Sequence, residues 1–207
     1  MRPQIVSAIL LVFAASTTAY CQSSDSQVDL SALEHRGREY SNKRQWARAQ
    51  SVYRTILEKR RQTLPALDPR LIGPLNDVIR VTCVDGKCAD TVPLLNDLLA
   101  IRLKHSGPWH ADVATTYALI AEANEKMHRY PEAVKNFNQA AKVRDRIYGK
   151  SASISVQTRM NVIRIALKNG DKATAKATLA ECRALIRSGG KPQPELDRVL
   201  SYYASKI

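Results

Sequence analysis

Val113-Ala114-Thr115-Thr116-Tyr117-Ala118-Leu119-Ile120-Ala121, then Tyr130-Pro131-Glu132-Ala133-Val134, then Phe137 and Ala140-Ala141, is the stretch on which the fold of this 207-residue chain turns. Val113, Tyr117, Ile120 and Asn124 recur at helical spacing, and His128-Arg129 interrupts the stripe. Pro131 suits the first turn of a second helix, where its missing N–H is not needed. The stretch therefore reads as two helices joined by a tight turn. The same reading recurs at a fixed interval: Ala49, Thr91, Ala133 and Ala175 stand 42 residues apart. Four residues after each come Tyr53, Leu95, Phe137 and Leu179, and three further on Ile56, Leu98, Ala140 and Cys182. Twelve residues before each stand Gly37, Ile79, Ala121 and Ile163. A small residue followed by a large one a turn later marks a helix face that another helix approaches closely.

Turn signals fall in register with these columns. Asp85-Gly86 and Asn169-Gly170-Asp171 mark where the first helix of a hairpin stops, and Leu67-Asp68-Pro69, Gly107-Pro108 and Gly149 punctuate the passages between hairpins. No strand-like alternation competes. Aromatic residues at 6% and 8 glycines disfavour a sandwich or barrel of short strands, while 44% hydrophobic and 25% charged residues exclude a disordered chain and a polytopic membrane protein. After Gly189-Gly190 and Lys191-Pro192-Gln193-Pro194, the residues Leu196, Val199, Leu200 and Tyr203 keep helical spacing, as a helix covering the last hairpin requires. The repeat units run over about 30–71, 72–113, 114–155 and 156–197, within a domain of residues 22–207, with 195–206 as cap.

With Gly37, Tyr40, Trp46, Ala49 and Tyr53 in the first unit and Tyr130, Ala133, Phe137 and Ala140 in the third, the chain resembles the tetratricopeptide repeat (TPR) family. The 42-residue unit, Leu75-Asn76, the apolar-Arg pairs Ile101-Arg102 and Val143-Arg144, and Gly107 to His110 are similar to kinesin light chain repeats. The likeness covers roughly residues 30 to 190, and the fourth unit is degenerate, with Lys172 where others have Trp46, Cys88 and Tyr130. The resemblance implies an all-α, right-handed α-solenoid of four hairpins plus a C-terminal capping helix. It also implies that first helices line a concave groove for an extended peptide or partner helix.

Arg2, the apolar run Ile5 to Ala15 and the small residues that follow have the order of a cleaved targeting signal over residues 1–21. That run is too short for a stable membrane span. Cleavage after Ala19 or Cys21 would send the chain to a periplasmic or secreted location. Lipidation at Cys21 fits less well because bulky Tyr20 precedes it. In such a compartment Cys83 and Cys88, separated by Val84-Asp85-Gly86-Lys87, are placed for a local disulfide, the alternative being two half-buried thiols. Cys182 falls in an apolar stripe and reads as core.

Carrying the family's groove columns onto the chain gives Arg38, Asn76, Arg80, Glu122, Arg164 and Lys168, together with Glu34, Ala118, Met160, Glu125 and Lys126. Arg38, Arg80 and Arg164 share one column, and a row of guanidinium groups suits carboxylates or phosphates. The expected partner is an acidic or carboxylate-bearing protein segment; solvated charge on amphipathic helices is the plainer alternative. The family's clamp for chaperone C-termini is not reproduced. The net charge of +13, and Arg48, Arg54, Lys59, Arg60 and Arg61 facing only Glu58 in one helix, leave contact with anionic membrane or envelope polymer open. Nucleic acid is disfavoured by the export signal and the lack of a stacking platform. No phosphate-cradling loop, nucleophile elbow or dinucleotide fingerprint occurs, so neither catalysis nor a cofactor is expected. His105 and His110 flank Trp109 without a carboxylate or thiolate partner, so no metal site is expected, and Trp109 is expected to pack between units.

Overall fold

Every position of the four sequence columns is buried, so the 42-residue interval is the interval of the core. The computed structural model describes residues 30–190 and 192–207. The expected targeting segment, with Cys21, lies outside the described residues.

Helix α1 occupies 30–42. It is followed by α2 (Trp46–Thr63), a 3-10 turn (Pro69–Leu71) leading into α3 (Ile72–Val84), and a second 3-10 turn (Cys88–Thr91) leading into α4 (Val92–Ser106). Then come α5 (Ala111–Lys126), α6 (Tyr130–Tyr148), α7 (Ser153–Lys168), α8 (Lys172–Ser188) and α9 (Pro194–Ala204). From α2 onward each helix packs on its sequence neighbours, α1 joins the first core through Leu30, Leu33 and Tyr40, α9 lies against both α7 and α8, and no strand occurs among the described residues. The described residues form an all-α solenoid of four hairpins with a terminal helix, whose Leu196 and Leu200 close the last core.

The columns are complementary in size. Gly37 is opposite Tyr53, where an added Cβ would lie 2.8 Å from the ring, so only glycine admits the tyrosine. Ala121 shares a core with Phe137, Ile79 with Leu95, and Ile163 with Leu179. The smaller the residue on the first helix, the larger its counterpart on the second, which keeps the interface filled at interior density.

The hairpin turns share one backbone. In each, the N–H of Arg44, Gly86, His128 or Gly170 bonds a carbonyl three residues back, and the N–H of Gln45, Lys87, Arg129 or Asp171 bonds one five residues back. That pair of bonds is the Schellman closure, which needs a left-handed residue after the helix. Gly86 and Gly170 supply it freely at φ 83° and 72°, whereas Arg44 and His128 adopt φ 54° and 57° at a steric cost.

Polar bonds join consecutive hairpins. Arg102 of α4 donates to Thr116 Oγ1 of α5 at 2.6 Å, and Arg144 of α6 repeats the bond to Thr158 of α7 one unit later. Arg159, nearly buried on α7, is held by both oxygens of Asp145 at 2.8 and 2.6 Å and by Glu181 at 2.8 Å. Two sequence expectations are corrected. Trp109 is 49% exposed rather than packed between units; it stands in the turn between α4 and α5, on neither packed helix face. The basic face of α2 meets more than Glu58: Arg60 pairs with Glu34 at 3.1 Å and Arg61 with Asp97 at 2.5 Å, carboxylates supplied by α1 and α4.

Candidate partner-binding site

Helices α1, α2 and α3, with the 3-10 turn before α3, line an open cavity of about 420 Å3. Its floor is Tyr53, Ile56 and Pro74, fixed by the core packing of α2 and the first turn of α3. Four arginines, Arg38, Arg60, Arg70 and Arg80, stand around it with Glu34 and Asp77. Three of the four are engaged. Arg60 holds Glu34, Arg70 takes both oxygens of Asp68, and Arg80 donates to Asp77 at 3.0 Å with its guanidinium 5.8 Å from the centre of the Tyr53 ring. Those Arg70 contacts hold the Asp68 carboxyl down at about 2. Partial burial works against the Arg80 cation, but Asp77 and the Tyr53 phenol outweigh it and raise its pKa. Arg38 is exposed on α1 and makes no ion pair among the described residues. The cavity is thus an apolar notch rimmed by guanidinium groups, one of them uncommitted, suited to a carboxylate beside an apolar side chain.

The structure divides the column read from the sequence. Arg38 and Arg80 share the notch, whereas Asn76 is exposed on α3 and does not line it; its neighbour Asp77 does. Glu122 is exposed midway along the row on α5, and burial of part of its carboxyl pushes its pKa up despite Arg164 nearby. Arg164 and Lys168 come together on Glu125, Lys168 at 2.6 Å. Burial raises the Glu125 carboxyl, but the hydrogen bonds from these two cations prevail and its pKa is lowered. Met160 does not face an open groove; it is buried in one cluster with Leu196 and Leu200 of α9. Tyr53, Arg60, Arg70, Pro74 and Asp77 escaped sequence reasoning as lining residues. Tyr53 was legible only as core, and Arg70 lies in a passage between units whose course the columns do not specify.

Cys83 and Cys88 form a disulfide across the turn of the second hairpin, tying the end of α3 to the 3-10 turn before α4. Cys182 is buried as a free thiol, and desolvation pushes its pKa up to about 12, which makes it a core residue and a poor nucleophile. His105 and His110 are used structurally: His105 Nε2 lies 2.7 Å from the Leu67 carbonyl oxygen, and His110 Nδ1 accepts from the Asp112 N–H at the start of α5. No group of three metal-ligating side chains occurs among the described residues, and no described helix is long and apolar enough to cross a membrane.

No protein-family model and no curated protein matches the chain. Solved structures do. A kinesin light chain-type protein of P. anserina with nearly identical TPR-like repeats superposes with a TM-score of 0.68 at 18% identity, over 86% of each chain. BtubC (BKLC) from P. vanneervenii gives 0.61 at 18% identity, over 98% of this chain and 84% of its own. MamA from Desulfovibrio magneticus RS-1 gives 0.53 at 16% identity, over 77% and 76%. With the repeating hairpins, buried columns and shared turns already described, these likenesses identify the fold as that of the TPR-like helical repeat proteins.

Proposed function

We propose that the protein is a non-catalytic interaction module, acting outside the cytoplasm, that takes an acidic or carboxylate-bearing segment of a partner protein along its row of first helices. The observation that carries this reading is the notch between α1, α2 and α3, where uncommitted Arg38 stands beside Arg80 over the apolar floor of Tyr53, Ile56 and Pro74. A carboxylate placed there gains a guanidinium partner without first breaking an ion pair of the protein, and its neighbouring side chain gains apolar contact. The targeting signal read in residues 1–21 and the Cys83–Cys88 disulfide both favour an oxidising compartment.

Selection of displayed random peptides on the protein tests the reading. Peptides bearing Asp or Glu beside an apolar residue are expected to be enriched, and Arg38→Glu is expected to weaken them about tenfold or more with helicity unchanged. Arg38 is the position of choice because its reversal breaks no ion pair among the described residues, unlike reversal of Arg80 or Arg164. Enriched peptides without acidic residues, or binding indifferent to Arg38→Glu, would sink the proposal.

Association with anionic membrane or envelope polymer is the second reading, favoured by the net charge of +13. Sedimentation with anionic and with neutral vesicles separates the two. Surface association predicts binding to anionic vesicles that falls steeply between low and physiological salt, whereas a peptide with buried apolar contacts loses less.

A further inference from the structure

The far end of the molecule holds a second cavity of a different character. It measures about 360 Å3 and lies where the end of α7, the start of α8 and α9 meet. Four cations line it: Arg164 and Lys168 from α7, Lys172 from α8, and Lys206 just beyond α9. Its remaining wall is Leu167 with Tyr202 and Tyr203. Among the described residues no carboxylate side chain lines it. Glu125, beside it, is shared by Arg164 and Lys168, and Asp171 turns its oxygen onto the Thr174 N–H at 3.0 Å. Lys172 donates to the main-chain oxygen of Ile207 at 3.0 Å, and the Lys206 ammonium lies 5.6 Å from the centre of the Tyr202 ring. Tyr202 is nevertheless 60% exposed, an aromatic face kept at the mouth of a basic bowl.

We propose that this cavity binds a phosphate monoester carried on a ring, either an aryl phosphate or a sugar phosphate. The charge decides the head group. Arg164 and Lys168 share the single Glu125 carboxylate and Lys172 meets only the Ile207 main-chain oxygen, so the four cations keep a positive surplus to which a phosphate monoester, with about −1.5 to −2 and three acceptor oxygens, is better matched than one carboxylate. The wall decides the body: Leu167 and the exposed face of Tyr202 offer apolar and aromatic surface to a ring, and the volume is that of a small-ligand site. Gly170 lies at the rim, with no described atom within 4 Å of where a Cβ would stand, so the α7–α8 turn itself does not crowd the cavity.

Calorimetric titration with phenyl phosphate, glucose 1-phosphate, inorganic phosphate and benzoate tests this. A ring phosphate is expected to bind about tenfold or more tightly than inorganic phosphate and than benzoate, and the tighter of the two ring phosphates names the source. Lys172→Gln and Tyr202→Ala are each expected to weaken it several-fold, while Lys176→Gln, on the same helix but outside the cavity, leaves it unchanged. Tyr202 and Lys172 are exposed, so an unaltered melting temperature shows that the variants fold. The proposal is overturned by absence of binding at millimolar concentration, by inorganic phosphate or benzoate matching the ring phosphates, or by affinity that survives the Lys172→Gln/Tyr202→Ala double variant. These residues lie outside the Arg38 notch, so this failure and that of the peptide reading are told apart.

Discussion

The second and third hairpins share a turn backbone but are held together by different means. In the third, α5 and α6 meet through Ala121, Ala133 and Ala140 around one large side chain, Phe137. In the second the corresponding positions are Ile79, Thr91, Leu98 and Leu95, and each helix is led into by a 3-10 turn. The position that carries Cys83 in the second hairpin carries Glu125 in the third. Cys83 is bonded within its own hairpin to Cys88, whereas Glu125 reaches forward to Arg164 and Lys168 of the next. One repeat column thus serves as a covalent staple in one unit and as an ionic joint between units in the next. Fixed geometry leaves the chemistry at a repeat position free to differ.

Truncation of the central side chains breaks the comparison hardest. Phe137→Ala is expected to cost about 3–5 kcal/mol in urea unfolding, because Ala121 and Ala133 are too short to fill the void and leave chiefly Val162 and Ile165 of α7 to relax into it. Leu95→Ala is expected to cost less, about 2–3 kcal/mol, since Ile79 and Leu98 are long enough to relax into the space. Equal losses would show that the alanine interface collapses as readily as the aliphatic one. Replacing both Cys83 and Cys88 with Ser is expected to cost about 2 kcal/mol by the chain-entropy argument for so short a loop. Reductant should reproduce that loss in the wild-type protein and do nothing to the variant.

Exchanging the turn residues gives a smaller, signed effect. Gly86→His is expected to destabilise by about 1 kcal/mol, because a side chain is imposed on a left-handed backbone. His128→Gly is expected to gain less than that, since His128 Nδ1 gives up its 2.9 Å contact with the Tyr130 hydroxyl. The finest test is pH. The Glu125 carboxyl is lowered in the folded state, so its contribution is present above the ordinary carboxylate range and lost as pH falls through its folded pKa. Glu125→Gln should therefore lower the melting temperature at neutral pH and converge with wild type in acid. Glu122, whose pKa is raised, predicts the reverse sign: Glu122→Gln is neutral or slightly stabilising at pH 7, within about 0.5 kcal/mol, and that difference also vanishes in acid.

The core was legible because burial is periodic: residues such as Ala49 and Phe137 declare themselves by size and spacing, and their columns repeat. The left-handed residues of the first and third turns were not, since nothing in Arg44 or His128 announces a positive φ that glycine carries openly in the other two. The arginine column was legible as a row but not in its commitments. Arg80 is taken up by a residue three positions back, while Arg164 is taken up by Glu125 across a helix interface that spacing along one helix does not reveal. For the same reason the basic face of α2 looked freer than it is, its counter-charges Glu34 and Asp97 lying in other helices. The second cavity was hidden altogether, because Lys172, Tyr202 and Lys206 converge only once α9 folds back on α7 and α8.

The bond from Arg102 to Thr116, repeated by Arg144 to Thr158, makes the third unit a cassette. If residues 111–152 were duplicated in tandem, Arg144 of the first copy would meet Thr116 of the second, and the bonds at the flanking joints would be those already present. The Arg159–Asp145 pair would be preserved as well, since the second copy still precedes Ser153. The arginine notch at one end and the basic bowl at the other would then stand one unit further apart. The molecule would behave as a ruler with whole-unit graduations, and a ligand that engaged both ends at once would register the added step as a loss of one contact.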